Sequence, residues 1–294
     1  MANWVKAMRA GDYPAAWALS DQTMRARDPA TRDDPTHPYH LRWVWDGRPF
    51  DNRHALVRCY HGLGDTLQFA RFLPLLAARA ASLTVELHPR LIPLLTGLAQ
   101  ANGFTLTAFD PAHPLPPAEC DLEITELDFA LRARPEDASP PYLHAARAVM
   151  PQGAVALCYG AGEWDPDRSI PAELMAPLCD LAPCVTLMPE ATTLSVRNPQ
   201  GCPFDMATTA ALVAGAELVI TVDTMIAHLA GALNKPTWLL LKVDPDWRWS
   251  PDSSTSPWYP SMCLYSQPSP GDWASVAAQV EHDLKARTLL AVKR

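Results

Sequence analysis

The sequence has little of what marks a disulfide-stabilised, metal-binding or membrane-spanning protein. Its seven cysteines include no Cys-x-x-Cys pair, and no histidine and cysteine spacing suits zinc. No apolar run approaches the about 18 residues that a transmembrane helix needs, and the opening MANWVKAMRAGDY has no apolar segment of signal-peptide length. We therefore expect reduced thiols, no metal site, no membrane span and a cytoplasmic location.

Positive charge is also in short supply. The chain carries 24 Lys and Arg against 32 Asp and Glu, which gives a formal net charge of -8 and a pI near 5.5. This balance argues against a nucleic-acid partner but leaves room for a local basic pocket that binds one diphosphate. Only 13 glycines stand beside 30 prolines, and many prolines follow apolar runs or begin helices, so they punctuate structure rather than form a linker.

The length of the chain and its two proline-rich stretches predict three segments. At 294 residues the chain exceeds the usual size of one domain. The stretch DPATRDDPTHP is polar and proline-rich, and a second proline cluster precedes a new series of apolar runs. We therefore divide the chain into a helical extension with a connector (1–38), an N-terminal domain (39–148) and a C-terminal domain (149–294).

The extension has small and aromatic residues at Tyr13, Ala16, Trp17 and Ser20, spaced for one helical face that stops at Pro29. It resembles the second half of a tetratricopeptide repeat. Such repeats need neighbours to bury their faces, so the stretch packs either on the main body or on a protein partner.

Both domains alternate strands with helices, which predicts an α/β fold with parallel, doubly wound sheets. The first series reads ALVRCY, TLQFARFLPLLAARA, LTVEL, RLIPLLTGLAQA, TLTAF and DLEIT. The second reads VALCY, PAELMAPLCDL, VTLM, TTAALVAGA, ELVITV, MIAHLAGAL and TWLLL. A closing amphipathic helix is predicted from the spacing of Trp273, Val276, Ala277 and Val280.

The turn HGLGDT follows the first strand and precedes the first helix of the N-terminal domain, where open parallel sheets bind ligands. Gly62 and Gly64 allow a tight turn and the close approach of a ligand. Asp65 at the helix N-terminus either faces the ligand or caps the helix. A dinucleotide site is the rival interpretation, with Glu86 as the ribose-binding acid, but Leu67 stands where the third glycine of that motif belongs.

A second candidate site is ITVDTMIAHLAGAL, an apolar strand followed by a helix. Thr224 is a suitable N-cap, and a helix N-terminus with a hydroxyl suits a nucleoside diphosphate. Asp223 would then hold sugar hydroxyls. His228 lies four residues after Thr224 on the same helical face, so it either reaches the ligand or is a satisfied core histidine.

The loop GAGEWDPDRSIP contains one base, Arg168, which either clamps phosphate oxygens or pairs with Asp165 or Asp167. A later segment, DPDWRWSPDSSTSPWYPSM, concentrates tryptophan and tyrosine. These rings either stack on a ligand or pin the loop to the surface, and Lys242 beside them is a further phosphate candidate.

Taken together, HGLGDTLQFARFLPLLAARA, RSIP, TTAALVAGAELVITVDTMIAHLAGAL and PDWRWSPDSSTSPWYPSMCLYSQPSPGDWASV resemble glycosyltransferase family 9, the ADP-heptose type. More narrowly, they resemble the subgroup joined to tetratricopeptide repeats. The resemblance runs from about Trp43 to Trp273.

The resemblance implies a GT-B architecture, in which two Rossmann-like domains face a cleft. The acceptor would bind mainly to the N-terminal domain. The nucleotide-sugar donor, ADP-linked and carrying heptose if the family default holds, would bind mainly to the C-terminal one. Asp65 matches the general base, Arg168 a base that meets the diphosphate, and Asp223, Thr224 and His228 the donor-binding block. On this basis we expect Asp65, Arg168 and Thr224 to converge on the cleft.

The implied reaction is metal-independent transfer with inversion, without a further cofactor, of a sugar to a glycan, lipopolysaccharide-core or protein acceptor. Glu163, Asp165 and Asp167 depart from the more basic loop of relatives and would repel a diphosphate unless they point away. Two alternatives therefore stay open. One is a non-catalytic binding module that recruits a protein partner through the N-terminal helices, and the other is a nucleotide-sugar epimerase or hydrolase.

Overall fold

The computed structural model describes residues 2–292 and divides the chain into two compact units, Met1–His144 and Ala145–Arg294. The sequence analysis sets the corresponding boundary at 148. Each unit contains one fully parallel sheet with helical connections, as the alternating pattern predicts. Among the described residues, no helix is both long and apolar enough to cross a membrane.

The sheet of the first unit has the strand order β3-β2-β1-β4. Its strands are β1 (His54–Arg58), β2 (Ser82–Leu87), β3 (Thr105–Ala108) and β4 (Cys120–Glu123). The helices of this unit are α1 (Ala2–Arg9), α2 (Tyr13–Ala26), α3 (Leu63–Phe69), α4 (Leu73–Ala77), α5 (Ile92–Asn102) and α6 (Leu127–Leu131). The chain reverses its direction of travel across the sheet between β1 and β4, so the loops after these two strands border the expected ligand crevice.

The predicted helix TLQFARFLPLLAARA is divided in the structure. A 3₁₀ turn, Ala70–Phe72, separates α3 from α4, and Pro74 stands in the first turn of α4. Proline has no backbone N–H to continue the hydrogen-bond ladder of α3, which explains why a new helix begins there.

The N-terminal stretch forms two helices, and the predicted helical face of Tyr13, Ala16, Trp17 and Ser20 lies on α2. The Trp4 indole donates to the Ser20 hydroxyl at 3.0 Å and ties α1 to α2. Tyr13 is buried, and the Arg132 guanidinium donates to Asp21 at 2.7 Å. These contacts support packing of α2 on the main body of its own unit. The predicted protein partner and the tetratricopeptide subgroup stay predictions.

The second unit has the strand order β6-β5-β7-β8-β9. Its strands are β5 (Val155–Cys158), β6 (Cys184–Thr186), β7 (Leu218–Val222), β8 (Thr237–Leu241) and β9 (Met262–Ser266). Its helices are α7 (Ala176–Leu181), α8 (Met206–Gly215), α9 (Met225–Ala232) and α10 (Trp273–Val292). The sequence analysis did not predict β9. The reversal of strand order lies between β5 and β7, which makes the loops after these strands the expected ligand-binding edge.

The closing helix α10 packs on its own unit along one stripe. Trp273, Val276, Val280 and Leu284 are buried in the core cluster, and Ala277 is half-buried against it. Their spacing of three to four residues is the one expected of an amphipathic helix, so this prediction is confirmed.

Candidate active site

The HGLGDT turn joins β1 to α3 at the carboxyl end of the first sheet. The Gly62 N–H donates to the Asp65 carboxylate at 3.1 Å, and the Thr66 N–H donates to the Gly62 carbonyl at 3.1 Å. Gly64 lies in the first turn of α3. The half-buried Asp65 therefore does what the capping alternative expects, and its role as a general base stays a prediction.

Beside this turn, a histidine and a buried carboxylate meet where the strand order reverses. The Nδ1 atom of His61, after β1, lies 2.8 Å from Oε1 of Glu123, the last residue of β4. Glu123 also accepts the backbone N–H groups of Tyr60 at 3.2 Å and Thr125 at 2.7 Å. The sequence analysis missed this pair because only the sheet order places residues 61 and 123 on adjacent loops.

A buried ionic network lies behind the turn and bears on the dinucleotide interpretation. Arg58 donates to Glu86 at 3.3 Å and to Asp121 at 3.3 Å, and the Leu115 N–H donates to Glu86 at 2.8 Å. Glu86 is 1% exposed, and burial raises its pKa. A carboxylate enclosed in this way presents no surface to a ribose, so Glu86 does not fit the role of a ribose-binding acid.

In the second unit the structure brings Arg168, Asp223 and Thr224 together at the carboxyl edge. The Arg168 guanidinium donates to the Asp223 carbonyl at 2.6 Å and is only 9% exposed. Thr224 caps α9, since its hydroxyl accepts the Ile226 N–H at 3.2 Å. The loops after β5 and β7, which flank the reversal of strand order, therefore meet through this arginine.

Arg168 also belongs to an ion-pair group, as the alternative interpretation expects. Its Nε atom lies 3.6 Å from Oδ2 of Asp165, and the Lys242 ammonium lies 2.8 Å from the same oxygen. The Trp164 ring stacks on the guanidinium at 4.1 Å from its centroid and is itself exposed. The sequence analysis weighed Lys242 as a phosphate candidate but did not join it to Asp165.

The Asp223 side chain is a buried carboxyl in an unfavourable setting for charge. Burial, followed by repulsion from Asp246, raises its pKa to about 6, although the Trp249 indole and the guanidinium groups of Arg168 and Arg248 act in the opposite direction. A carboxyl that titrates near neutral pH within a ligand-binding edge is a functional-site candidate on physical grounds.

His228 is packed into an aromatic cluster. Its Nδ1 atom lies 3.0 Å from the Tyr259 hydroxyl, and its ring stacks on Trp249 with centroids 5.7 Å apart. Gly231 makes room for the Tyr259 ring, because a Cβ there would lie 2.2 Å from it. These contacts agree with the core-histidine alternative, and a contact between His228 and a ligand stays a prediction.

The aromatic loop is mostly buried as well. Trp249, Trp258 and Tyr259 are buried, while Trp247 is half-buried and meets Trp258 edge to face at 5.8 Å. This burial favours the interpretation in which the rings hold the long loop against the unit. Across residues 2–292, no group of three or more His, Cys, Asp or Glu side chains is arranged to hold a metal ion.

A comparison with known protein families matches the segment of the second unit that contains Asp223 and Thr224. Residues 202–254, which include Asp223, Thr224, His228 and Lys242, match the sequence model of glycosyltransferase family 9 (heptosyltransferase). No curated protein matches the chain.

Two solved structures share the fold at low sequence identity. One is the iron-containing dodecameric glycosyltransferase TibC from enterotoxigenic E. coli H10407, with a TM-score of 0.54 and 13% identity over 77% of this chain and 66% of TibC. This chain thus matches slightly less than two thirds of TibC's length. The other is the family 9 glycosyl transferase from Veillonella parvula DSM 2008, with a TM-score of 0.52 and 14% identity over 83% of this chain and 99% of that one.

These matches confirm the predicted α/β fold of the GT-B class, with two parallel-sheet units. The expected convergence of Asp65 with Arg168 and Thr224 stays a prediction. The segment that matches family 9 is also the one that contains Asp223 and Thr224.

Proposed function

We propose that the chain transfers a sugar from a nucleoside-diphosphate donor to a hydroxyl of a glycan, lipopolysaccharide-core or protein acceptor, with inversion and without a metal. The observation that carries this proposal is the family 9 match over residues 202–254, a segment in which the Asp223 carbonyl accepts a hydrogen bond from the Arg168 guanidinium. ADP-heptose is the first donor to test, since a TibC structure with a TM-score of 0.50 is named as a heptosyltransferase in complex with ADP-D-beta-D-heptose.

The chemistry of donor binding fits the second unit. A departing diphosphate needs positive charge and backbone N–H donors in fixed positions. Arg168 supplies a guanidinium held at the start of α9, and the first turn of α9, capped by Thr224, supplies N–H groups. In this proposal the Asp223 carboxylate accepts hydrogen bonds from sugar hydroxyls.

The acceptor would be activated by the turn of the first unit. Asp65 takes the proton of the acceptor hydroxyl while that oxygen attacks the anomeric carbon. The bond from this carbon to the diphosphate oxygen breaks, and its electron pair leaves with the diphosphate. Attack opposite the leaving group inverts the anomeric configuration.

A thermal-shift screen of the purified chain tests donor binding. Ligands that bind only the native state raise its melting temperature, and at about 100-fold excess over Kd the stabilisation is about 2.7 kcal/mol, or roughly 9 °C for the second unit, Ala145–Arg294. The screen compares ADP-, GDP-, UDP- and dTDP-sugars and their free nucleotides. We expect one nucleotide class to shift the melting temperature, Arg168→Ala to remove the shift, and Arg287→Ala, on the exposed part of α10, to keep it.

Product analysis with the selected donor then tests the base. Asp65→Asn keeps an oxygen that accepts the Gly62 N–H, so the turn should fold while turnover falls about 10²- to 10⁴-fold. Full transferase activity in this variant would remove Asp65 from the mechanism. Donor consumption without acceptor would instead identify a hydrolase or epimerase.

A non-catalytic binding module is the second candidate, and the Asp165 contacts favour it. This carboxylate already forms ion pairs with Arg168 and Lys242, the two cations that the sequence analysis names as phosphate candidates. A folded chain that shows no shift with any nucleotide would support this candidate over the transferase.

A further inference from the structure

Two cations from different loops of the second unit converge on one carboxylate oxygen. Oδ2 of Asp165 lies 2.8 Å from the Lys242 ammonium and 3.6 Å from Nε of Arg168. Lys242 directly follows β8, and Arg168 belongs to the loop after β5. Because β7 lies between β5 and β8 in the sheet, this meeting point sits over the carboxyl end of β7, where Asp223 and Thr224 begin the donor-binding block.

The three acids of this loop are not equivalent. The side chain of Asp165 is 17% exposed and lies between the cations, whereas Glu163 and Asp167 are exposed to solvent. The sequence predicts that all three repel a diphosphate unless they point away. In the structure only Asp165 occupies the position where an anion would be attracted, and its own charge is compensated there.

We propose that Lys242 is a second diphosphate-binding residue and that Asp165 is an internal anion which holds the two cations until a nucleoside diphosphate displaces it. This inference rests on the proposed function and names a binding residue that the family match alone does not single out. A diphosphate has more acceptor oxygens than one carboxylate, so it satisfies both the planar guanidinium and the ammonium. Displacement needs only the Asp165 side chain to rotate towards solvent.

The arrangement sets a direction for each substitution. Removing Lys242 removes an attraction that the diphosphate uses, so binding weakens. Removing the charge of Asp165 removes a competitor and a like charge, so binding tightens, although the two residues form one ion pair. If the ion pair were purely structural, losing either partner would disturb the loop and weaken diphosphate binding. In that case Asp165→Asn would weaken binding instead of tightening it.

Isothermal titration of the full chain tests this with two probes, ADP and inorganic pyrophosphate. We expect Lys242→Ala to raise the Kd of both probes about 10- to 100-fold, as the loss of one charge-assisted contact does. We expect Asp165→Asn to lower it about three- to tenfold. The matched controls are Asp167→Asn, the same charge change in the same loop, and Lys285→Ala, which breaks a surface ion pair on α10, and both should leave Kd within about twofold.

The double variant adds a second criterion. If Asp165 acts through Lys242, the tightening caused by Asp165→Asn is smaller in the Lys242→Ala background than in the native one. Melting temperatures measured on the same samples, together with Lys242→Met, which keeps most of the side-chain stem, separate lost binding from lost folding.

Two results would overturn the proposal: weaker binding in Asp165→Asn, or unchanged binding in Lys242→Ala. The readout is independent of sugar transfer. A chain that binds pyrophosphate with the expected order of affinities but transfers no sugar would contradict the proposed function and leave the pair of Lys242 and Asp165 supported.

Discussion

The raised pKa of Asp223 predicts how the stability of the second unit depends on pH. Burial raises the pKa of this carboxyl from its ordinary value of 3.8 to about 6. A raised pKa in the folded state means that the native chain holds this proton more tightly than the unfolded one. The stabilisation is therefore fully present below about pH 4 and is lost as the pH rises through 6, and the gap corresponds to about 3 kcal/mol.

Asp223→Asn removes the titration while keeping a similar shape. We expect the free energy of unfolding of the variant, relative to the native chain, to rise by up to about 3 kcal/mol between pH 4 and pH 8. Urea unfolding followed by tryptophan fluorescence measures the difference at each pH, and the other titrating groups cancel between the two chains.

Asp272→Asn is the matched control for this comparison. The backbone N–H and the hydroxyl of Ser275 lower the pKa of Asp272, so any pH dependence it contributes has the opposite sign. A difference between Asp223→Asn and the native chain that stays constant from pH 4 to pH 8 would refute the argument. In that case the Asp223 carboxyl is better solvated than its surroundings indicate.

Gly231→Ala should destabilise the second unit by about 1–3 kcal/mol, because its Cβ would overlap the buried Tyr259 ring, whereas Gly97→Ala, with open space on α5, should stabilise its helix by about 0.5–1 kcal/mol. Thermal unfolding checks both, and equal melting temperatures would contradict the packing argument. Arg58→Met should cost about 3–5 kcal/mol, since the buried Glu86 loses its cation and the buried Asp121 keeps only its ion pair with Arg32. Unfolding by denaturant measures this cost, and a loss below 1 kcal/mol would show that water enters the network.

The parallel sheets were predictable because their strands are short apolar runs between breakers. TWLLL, for example, is the whole of β8, bounded by Pro236 and by the polar segment that begins at Lys242. β9 was missed because MCLYS is a short run of five residues that directly follows a long proline-rich loop and lacks the continuous apolar character of β8. The division of the first predicted helix at Pro74 was readable from the sequence, but the apolar periodicity outweighed it.

The binding edge was predictable only where its residues are close in sequence. Thr224 was identified as a helix cap because the strand, the hydroxyl and the helix follow one another along the chain. The contact between Lys242 and Asp165 joins residues 77 positions apart, and it depends on β7 being inserted between β5 and β8. Local spacing contains no information about that order, so the pair could not be found before the sheet was known.

The same reasoning applies to the charges of the loop around Arg168. In sequence, three acids and one base indicate repulsion of a diphosphate. In the structure the segment after β8 contributes Lys242, and one of the acids, Asp165, lies between the two cations while the others face water. The order of the strands therefore determines which charged side chains lie close to a bound phosphate. The other charges remain in solvent, where screening weakens their effect. On this argument the charge at residue 165, and not the net charge of the loop, sets the affinity for the donor.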